Sequence, residues 1–185
     1  KAQKQGHQCI LLDKKKSTRS NVSSYLQQKD IRFVFFNGHG TEDEVWGHDE
    51  DVLVDKDSCG HLKNKVVYSR SCKSVKTLGK QAVDAGCDAY IGYKDEFQFF
   101  GLPKFVSRPL KDPLAGPVME SSNAIAESLF KGHTVRESIE ASQARTAHHI
   151  LKLLGSREPF AGKVIRQLYR NMNSLAFHGK ETIKL

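Results

Sequence analysis

Ile31-Arg32-Phe33-Val34-Phe35-Phe36 is followed directly by Asn37-Gly38-His39-Gly40. The first six residues are nearly all apolar and rich in strand formers. Such a run reads as a strand covered on both faces, the habit of a parallel sheet. Working outward, Cys9-Ile10-Leu11-Leu12, Lys65-Val66-Val67-Tyr68-Ser69 and Ala89-Tyr90-Ile91-Gly92-Tyr93 have the same character. Helical patterns alternate with them. Ser20 or Asn21 is placed to cap a helix carrying Val22, Tyr25 and Leu26 on one side. Residues 77–85 group Leu78, Ala82 and Val83, and Gly86 stops that helix.

The intervening stretches are less regular. Residues 41–62 form an excursion with extended pieces near Val45-Trp46 and Val52-Leu53-Val54. Residues 94–118 hold Pro103, Pro109, Pro113 and Pro117, which predicts a lid or a hairpin formed by Phe97–Phe100 and Lys104–Val106 around Gly101. Asn123–Lys131 is expected to be helical. Thr134-Val135-Arg136-Glu137 has capping-box spacing and opens a long helix that ends at Gly155. A further helix is predicted over 162–171, followed by a weak tail. Strands alternating with helices predict a three-layer α/β/α sandwich with a mostly parallel sheet. The expected organisation is one domain over 1–155 and a helical extension over 156–185.

The bulk properties agree with one compact domain. The chain has 185 residues, of which 38% are hydrophobic and 27% charged, which excludes fibrous and low-complexity classes. No run of about 18 apolar residues is present, so no membrane span is expected. Lys1 to Gln8 lacks the apolar core of a secretory signal, and a chain starting at Lys is expected to be a piece of something longer. The four cysteines are scattered and include no CxxC pair, so reduced thiols in a cytoplasmic setting are expected.

The net charge of +8 conceals blocks of opposite sign. Residues 33–62 hold eight acids against Lys56, while 63–80 hold six bases and no acid. The basic clusters lack interleaved aromatics and an acid-rich block lies next to them in sequence. Direct nucleic-acid binding is therefore not expected.

Candidate chemistry gathers at two strand ends. In open α/β sheets, ligands bind beyond the carboxyl ends of the strands. One strand delivers His39 between two glycines, the other delivers Ser69-Arg70-Ser71-Cys72. If these strands are parallel neighbours about 4.8 Å apart, an imidazole and a thiol share one rim. That pair is the minimum equipment for nucleophilic catalysis. Glycine flanks leave amide N–H groups unobstructed, so a loop N–H and that of Cys72 are candidates for an oxyanion hole. Cys9, Cys59 and Cys87 read as packing or inert thiols. His48, Asp49 and Asp51 with His39 form an alternative metal-binding set.

Together these blocks, with Leu78-Gly79 and Ala85-Gly86-Cys87-Asp88-Ala89-Tyr90-Ile91-Gly92, resemble the caspase-hemoglobinase fold. The similarity is closest to the CHAT subgroup of clan CD cysteine peptidases. It extends over roughly 30–154, with Ala126–Gly132 and Val135–Ala141 resembling that subgroup's closing helices. The resemblance implies Cys72 as nucleophile, His39 as acid/base, and Gly40 and Cys72 as oxyanion-hole donors. It implies a substrate pocket around Ser69, Arg70 and Ser71 and the stretch after Tyr93. Arg70 departs from the family pattern, where a small residue is usual, and Lys73-Ser74 replace an acid and glycine.

The expected activity is a cysteine endopeptidase without cofactor, acting on a protein or peptide, and the resemblance implies control by a partner chain or a sensor domain. The resemblance also implies bacterial antiviral defence as a setting. Asp95 and Glu96 follow the fourth strand, and an acidic pocket there favours Lys or Arg before the scissile bond; a pocket of Phe97, Phe99 and Phe100 is the uncharged alternative. The competing classes are a catalytically idle interaction module of the same fold and a metal-dependent hydrolase. The basic N-terminal segment and the C-terminal tail are the expected docking surfaces.

Overall fold

The computed structural model describes residues 3, 6–28 and 30–185. Part of the basic N-terminal segment, Lys1, Ala2, Lys4 and Gln5, thus lies outside the described residues. The chain forms α1 (Arg19–Leu26), β1 (Phe33–Phe36), β2 (Val45–Trp46), β3 (Val52–Val54), β4 (Val66–Ser69), α2 (Leu78–Asp84) and β5 (Ala89–Tyr93). There follow α3 (Ala115–Leu129), α4 (Val135–Leu154), α5 (Ala161–Ser174) and β6 (Leu175–Gly179).

The main sheet has four strands in the order β1-β4-β5-β6, and β2 pairs with β3 in a separate two-stranded sheet. β1, β4 and β5 run parallel, and β6 returns antiparallel to β5. The apolar runs become these strands because their side chains have a core on each side. Along β4 and β5, Val67 and Tyr90 enter one cluster with Val22 and Leu26 of α1, Val45 and Val54 of the small sheet, and Leu78 and Ala82 of α2. The alternate residues Val66, Tyr68, Ala89, Ile91 and Tyr93 enter another, with Ile125 and Leu129 of α3 and Val135 and Ile139 of α4. This is the period-2 alternation of a strand, with both phases apolar. Each fully buried Val, Leu or Ile contributes about 1.5–3 kcal/mol relative to exposure. A third cluster joins Leu114 and Val118 to Val164 and Leu168 of α5.

Buried hydroxyls lock the sheet to α3. Tyr68 Oη and Tyr93 Oη are 3.0 Å apart, and both bond Ser122 Oγ. Burial pushes the Tyr93 phenol well above its ordinary range. The capping box at the start of α4 is formed: the Glu137 amide donates to Thr134 Oγ1, and the Thr134 amide donates to Glu137 Oε2 at 2.7 Å.

Several expectations are corrected. Cys9–Leu12 forms no strand; Ile10 and Leu11 are exposed and no β-pairing holds them. Thr18, not Ser20 or Asn21, caps α1 through the Asn21 amide. Phe97–Val106 makes no hairpin. Residues 97–111 are an irregular strap with short 3-10 turns at Pro103–Phe105 and Pro109–Lys111. Helix α3 starts eight residues earlier than Asn123, at Ala115. Buried Asp112 accepts from Leu114 N at 2.8 Å and from Leu102 N at 2.6 Å, anchoring both the helix start and the strap. The tail after α5 is β6, fixed by its pairing with all five residues of β5.

Candidate active site

The two chemically loaded strand ends are aligned. Parallel pairing sets Phe36 opposite Ser69. Immediately beyond, the Arg70 amide donates to Phe36 O at 2.8 Å. The chain after β1 then tightens into a short bridge: Trp46 N donates to His39 O at 3.0 Å and Thr41 N to Glu44 O at 2.9 Å. Those bonds flank the Gly40–Val45 pair. Gly40 therefore sits at a non-hydrogen-bonded position, and the pairing leaves its amide N–H unused.

Glycine is required at 40 by close approach. A Cβ placed there would lie 2.9 Å from Ser71 Cβ and 2.6 Å from Glu44 O. The neighbour of His39 is thus packed on the neighbour of Cys72. A further tether follows: Glu42 O accepts from Leu78 N at 2.8 Å, and Glu42 Oε1 accepts from Lys76 Nζ at 2.8 Å. The Lys76 hydrogen bond holds the Glu42 carboxyl below its ordinary range. The His39 loop and the Cys72 loop are therefore joined at three points.

His39 is exposed and Cys72 is partly exposed. Among the described residues, neither the Gly40 nor the Cys72 amide donates to another backbone carbonyl. Beneath Cys72 the support is buried and polar. Ser69 and Ser71 have no exposed surface, and Ser74 Oγ donates to Ser69 Oγ at 3.0 Å. These two serines form the wall under the rim; their side chains are not open to a substrate. Lys73 has φ +59°, a left-handed conformation uncommon for a side chain other than glycine. Its amide donates to Asp95 O at 3.2 Å, and its Nζ lies 3.9 Å from Glu96 Oε1. Asp95 and Glu96 thus stand at the Cys72 rim, exposed, with Glu96 facing a lysine.

Arg70 turns inward. Its Nη2 donates to Asn123 Oδ1 at 2.5 Å and its Nη1 to Met119 Sδ at 3.2 Å. Its Cζ lies 5.0 Å from the Phe35 ring centroid and 5.7 Å from that of Phe97. These four neighbours come from β1, α3 and the strap, and sequence reasoning missed Met119, Asn123 and Phe35. The Glu42–Lys76 tether was also missed; only opposite charges in adjacent blocks hinted at it.

The remaining thiols differ from Cys72. Burial raises the Cys59 thiol and pushes the Cys87 thiol up to about 12. Cys9 is exposed. The alternative metal set is not assembled: Asp51 Oδ2 accepts from the Arg19 amide, and His48 Nε2 lies 3.4 Å from Asp49 Oδ2. Among the described residues, no group of three or more His, Cys, Asp or Glu side chains is placed to hold a metal ion. No family model, curated protein or solved structure matches the chain.

Proposed function

We propose that the chain is a cysteine endopeptidase that uses Cys72 and His39, built on a three-layer α/β/α sandwich of the caspase-hemoglobinase type. The observation that carries this reading is the contact between Gly40 and Ser71, which holds the imidazole-bearing and thiol-bearing loops side by side at the carboxyl edge of parallel strands. Two apolar clusters fed by alternate residues of β4 and β5 support the layered architecture.

In this reading, Cys72 Sγ attacks the carbonyl carbon of the scissile peptide. The oxyanion is received by the amides of Gly40 and Cys72, a donor set typically worth about 3–4 kcal/mol per hydrogen bond lost. His39 gives a proton to the leaving amine, and water then hydrolyses the thioester. The exposure of His39 suits a group that must meet a substrate nitrogen. The substrate is a protein or peptide, no cofactor takes part, and a partner chain or sensor domain supplies control. Among the described residues, no helix is long and apolar enough to cross a membrane; we place the activity in the cytoplasm, with antiviral defence as its setting.

The test is cleavage of a peptide library by the chain and by its Cys72→Ala and His39→Ala variants. A peptidase loses activity in both. An idle interaction module shows no cleavage in any form, and a metal-dependent hydrolase keeps activity in Cys72→Ala and loses it to chelator.

A further inference from the structure

We propose that the strap, the end of α4 and the exposed side of α5 form a surface that binds an anionic lipid bilayer, with bases on the headgroups and aliphatic side chains entering the interface. This goes beyond the peptidase reading and does not depend on it. The association is peripheral and needs no membrane-crossing helix.

Topology brings the three elements to one end of the molecule. α3 and α4 are joined by a short connection and run antiparallel, with Ser142 Oγ donating to Ser121 O at 2.8 Å. The start of α3 and the end of α4 therefore lie together. The strap enters α3 at that end, and the chain leaves α4 for α5 from it. One apolar cluster marks the meeting: Leu102 of the strap, Leu114 before α3, Ile150 and Leu153 of α4, and Phe160 and Val164 where α5 begins. Farther along α5, the Gln98 amide donates to Asn171 Oδ1 at 2.9 Å, and Asn171 Nδ2 donates to Gln98 O at 2.7 Å. Lys163 Nζ lies 3.8 Å from the Phe100 ring centroid. The strap is thus fixed along α5.

Beside these buried residues stand exposed apolar ones. Among the described residues ten large apolar side chains are exposed, and seven of them lie within 97–114 and 150–171. Val106 is 81% exposed, Leu151 70% and Leu154 67%, the exposure of projecting tips and not of a cleft wall. A cluster of that kind marks an interaction surface.

Charge says which partner it suits. The same two stretches hold eight bases and two acids. One of the acids, Asp112, is buried, which leaves Glu158. Among the described residues, no ion pair includes any of the eight bases. Asp95 and Glu96, just before the strap, stand at the Cys72 rim, where Glu96 faces Lys73. On α5, Lys163, Arg166 and Arg170 are exposed, and spacings of three and four put them on one side of the helix. Lys152 and Arg157 bracket Leu154 in sequence. Long basic side chains lay their stems on hydrocarbon and keep their charge at headgroup level, and an anionic leaflet attracts each of them. Tyr169, also exposed, is of the type enriched at that depth. Single-stranded nucleic acid would ask for aromatic platforms, whereas the most exposed tips here are aliphatic.

The experiment sediments the full chain with vesicles of phosphatidylcholine alone and of phosphatidylcholine mixed with phosphatidylglycerol, at low and high salt. Binding is expected on the anionic vesicles, at least about 10-fold tighter than on neutral ones and weakened by salt. Lys163→Gln/Arg166→Gln/Arg170→Gln and Leu151→Ser/Leu154→Ser are each expected to weaken it by at least about 10-fold. Lys14→Gln/Lys15→Gln/Lys16→Gln removes the same charge from an exposed segment elsewhere and is expected to stay within about 3-fold of wild type. Circular dichroism should remain native in all three, because every substituted side chain is exposed. Absence of binding to anionic vesicles overturns the proposal, as does an equal loss in the Lys14 triplet or an unchanged affinity in the leucine pair. Binding to a DNA duplex or to an acidic protein without binding to vesicles likewise overturns it. Should a variant fail to fold, the wild-type ratio between the two vesicle types decides, a ratio near one overturning the lipid surface. Sedimentation reads binding without cleavage, so the outcome stands whether or not Cys72 cuts peptides.

Discussion

Gly40 and Ser71 approach so closely that no side chain fits at position 40: a Cβ there would stand 2.9 Å from Ser71 Cβ and closer still to the Glu44 carbonyl. This contact joins the loop of the proposed acid to the loop of the proposed nucleophile. Gly40→Ala must therefore push the two apart. We expect a loss of about 1–3 kcal/mol of stability in urea unfolding and at least a 100-fold loss of peptidase rate. Gly60→Ala is the control, because nothing lies within 4 Å of a Cβ there; it is expected to leave cleavage unchanged. Equal behaviour of the two variants would show that the Gly40 contact is not needed.

Thiol accessibility separates Cys72 from its companions. Cys59 and Cys87 are buried and Cys9 is exposed. In a Cys9→Ser background, a small alkylating reagent is expected to modify Cys72 alone in the native chain, with Cys59 and Cys87 reacting only in denaturant. Mass spectrometry of the digested protein reads the positions. Labelling of Cys87 at a rate comparable with Cys72 contradicts the burial described.

Acid should expose one specific linkage. Burial alone would raise the Asp55 carboxyl, but hydrogen bonds from Arg19 and from the hydroxyl and amide of Ser58, with the Arg19 charge, outweigh it and bring the group down to about 2. A depressed carboxyl contributes stability that is present above its unfolded value near 4 and is lost as pH falls toward 2. The wild type is therefore expected to lose more thermal stability than Asp55→Asn between those limits. At neutral pH the variant should be less stable by about 1–3 kcal/mol. A pH profile shared by both proteins would remove Asp55 from the acid response.

Helix α4 begins on a reciprocal pair, Thr134 with Glu137. Thr134→Ala is expected to cost about 1 kcal/mol in chemical unfolding. Cleavage at the distant rim should remain within 2-fold of wild type. A large fall in activity would mean that α4 is coupled to the site.

How much of this was legible follows from where each feature gets its stability. β1, β4 and β5 carry continuous apolar residues, so their strand character is written into single segments. The alignment of Phe36 with Ser69 was likewise readable, because each apolar run stops where the chemically loaded residues begin. Leu175–Gly179 has a weaker pattern and becomes β6 only because β5 offers an edge for it. Cys9–Leu12 shows the converse: it has a strand's composition and no strand partner. The start of α3 was hidden by Pro117, which reads as a breaker. It occupies the third position of the helix, where its missing N–H costs no intrahelical bond. Arg70 was visible as an unusual residue, but its burial depends on Phe35, Phe97, Met119 and Asn123, separated along the chain and brought together only by the fold.

The most direct test of the central claim is covalent capture by an electrophilic peptide, a peptidyl acyloxymethyl ketone, followed by mass spectrometry of the modified residue. The account expects a single adduct on Cys72, formed at least 50-fold more slowly in His39→Ala. Adducts spread over Cys9 and Cys72 at rates indifferent to His39 would contradict it.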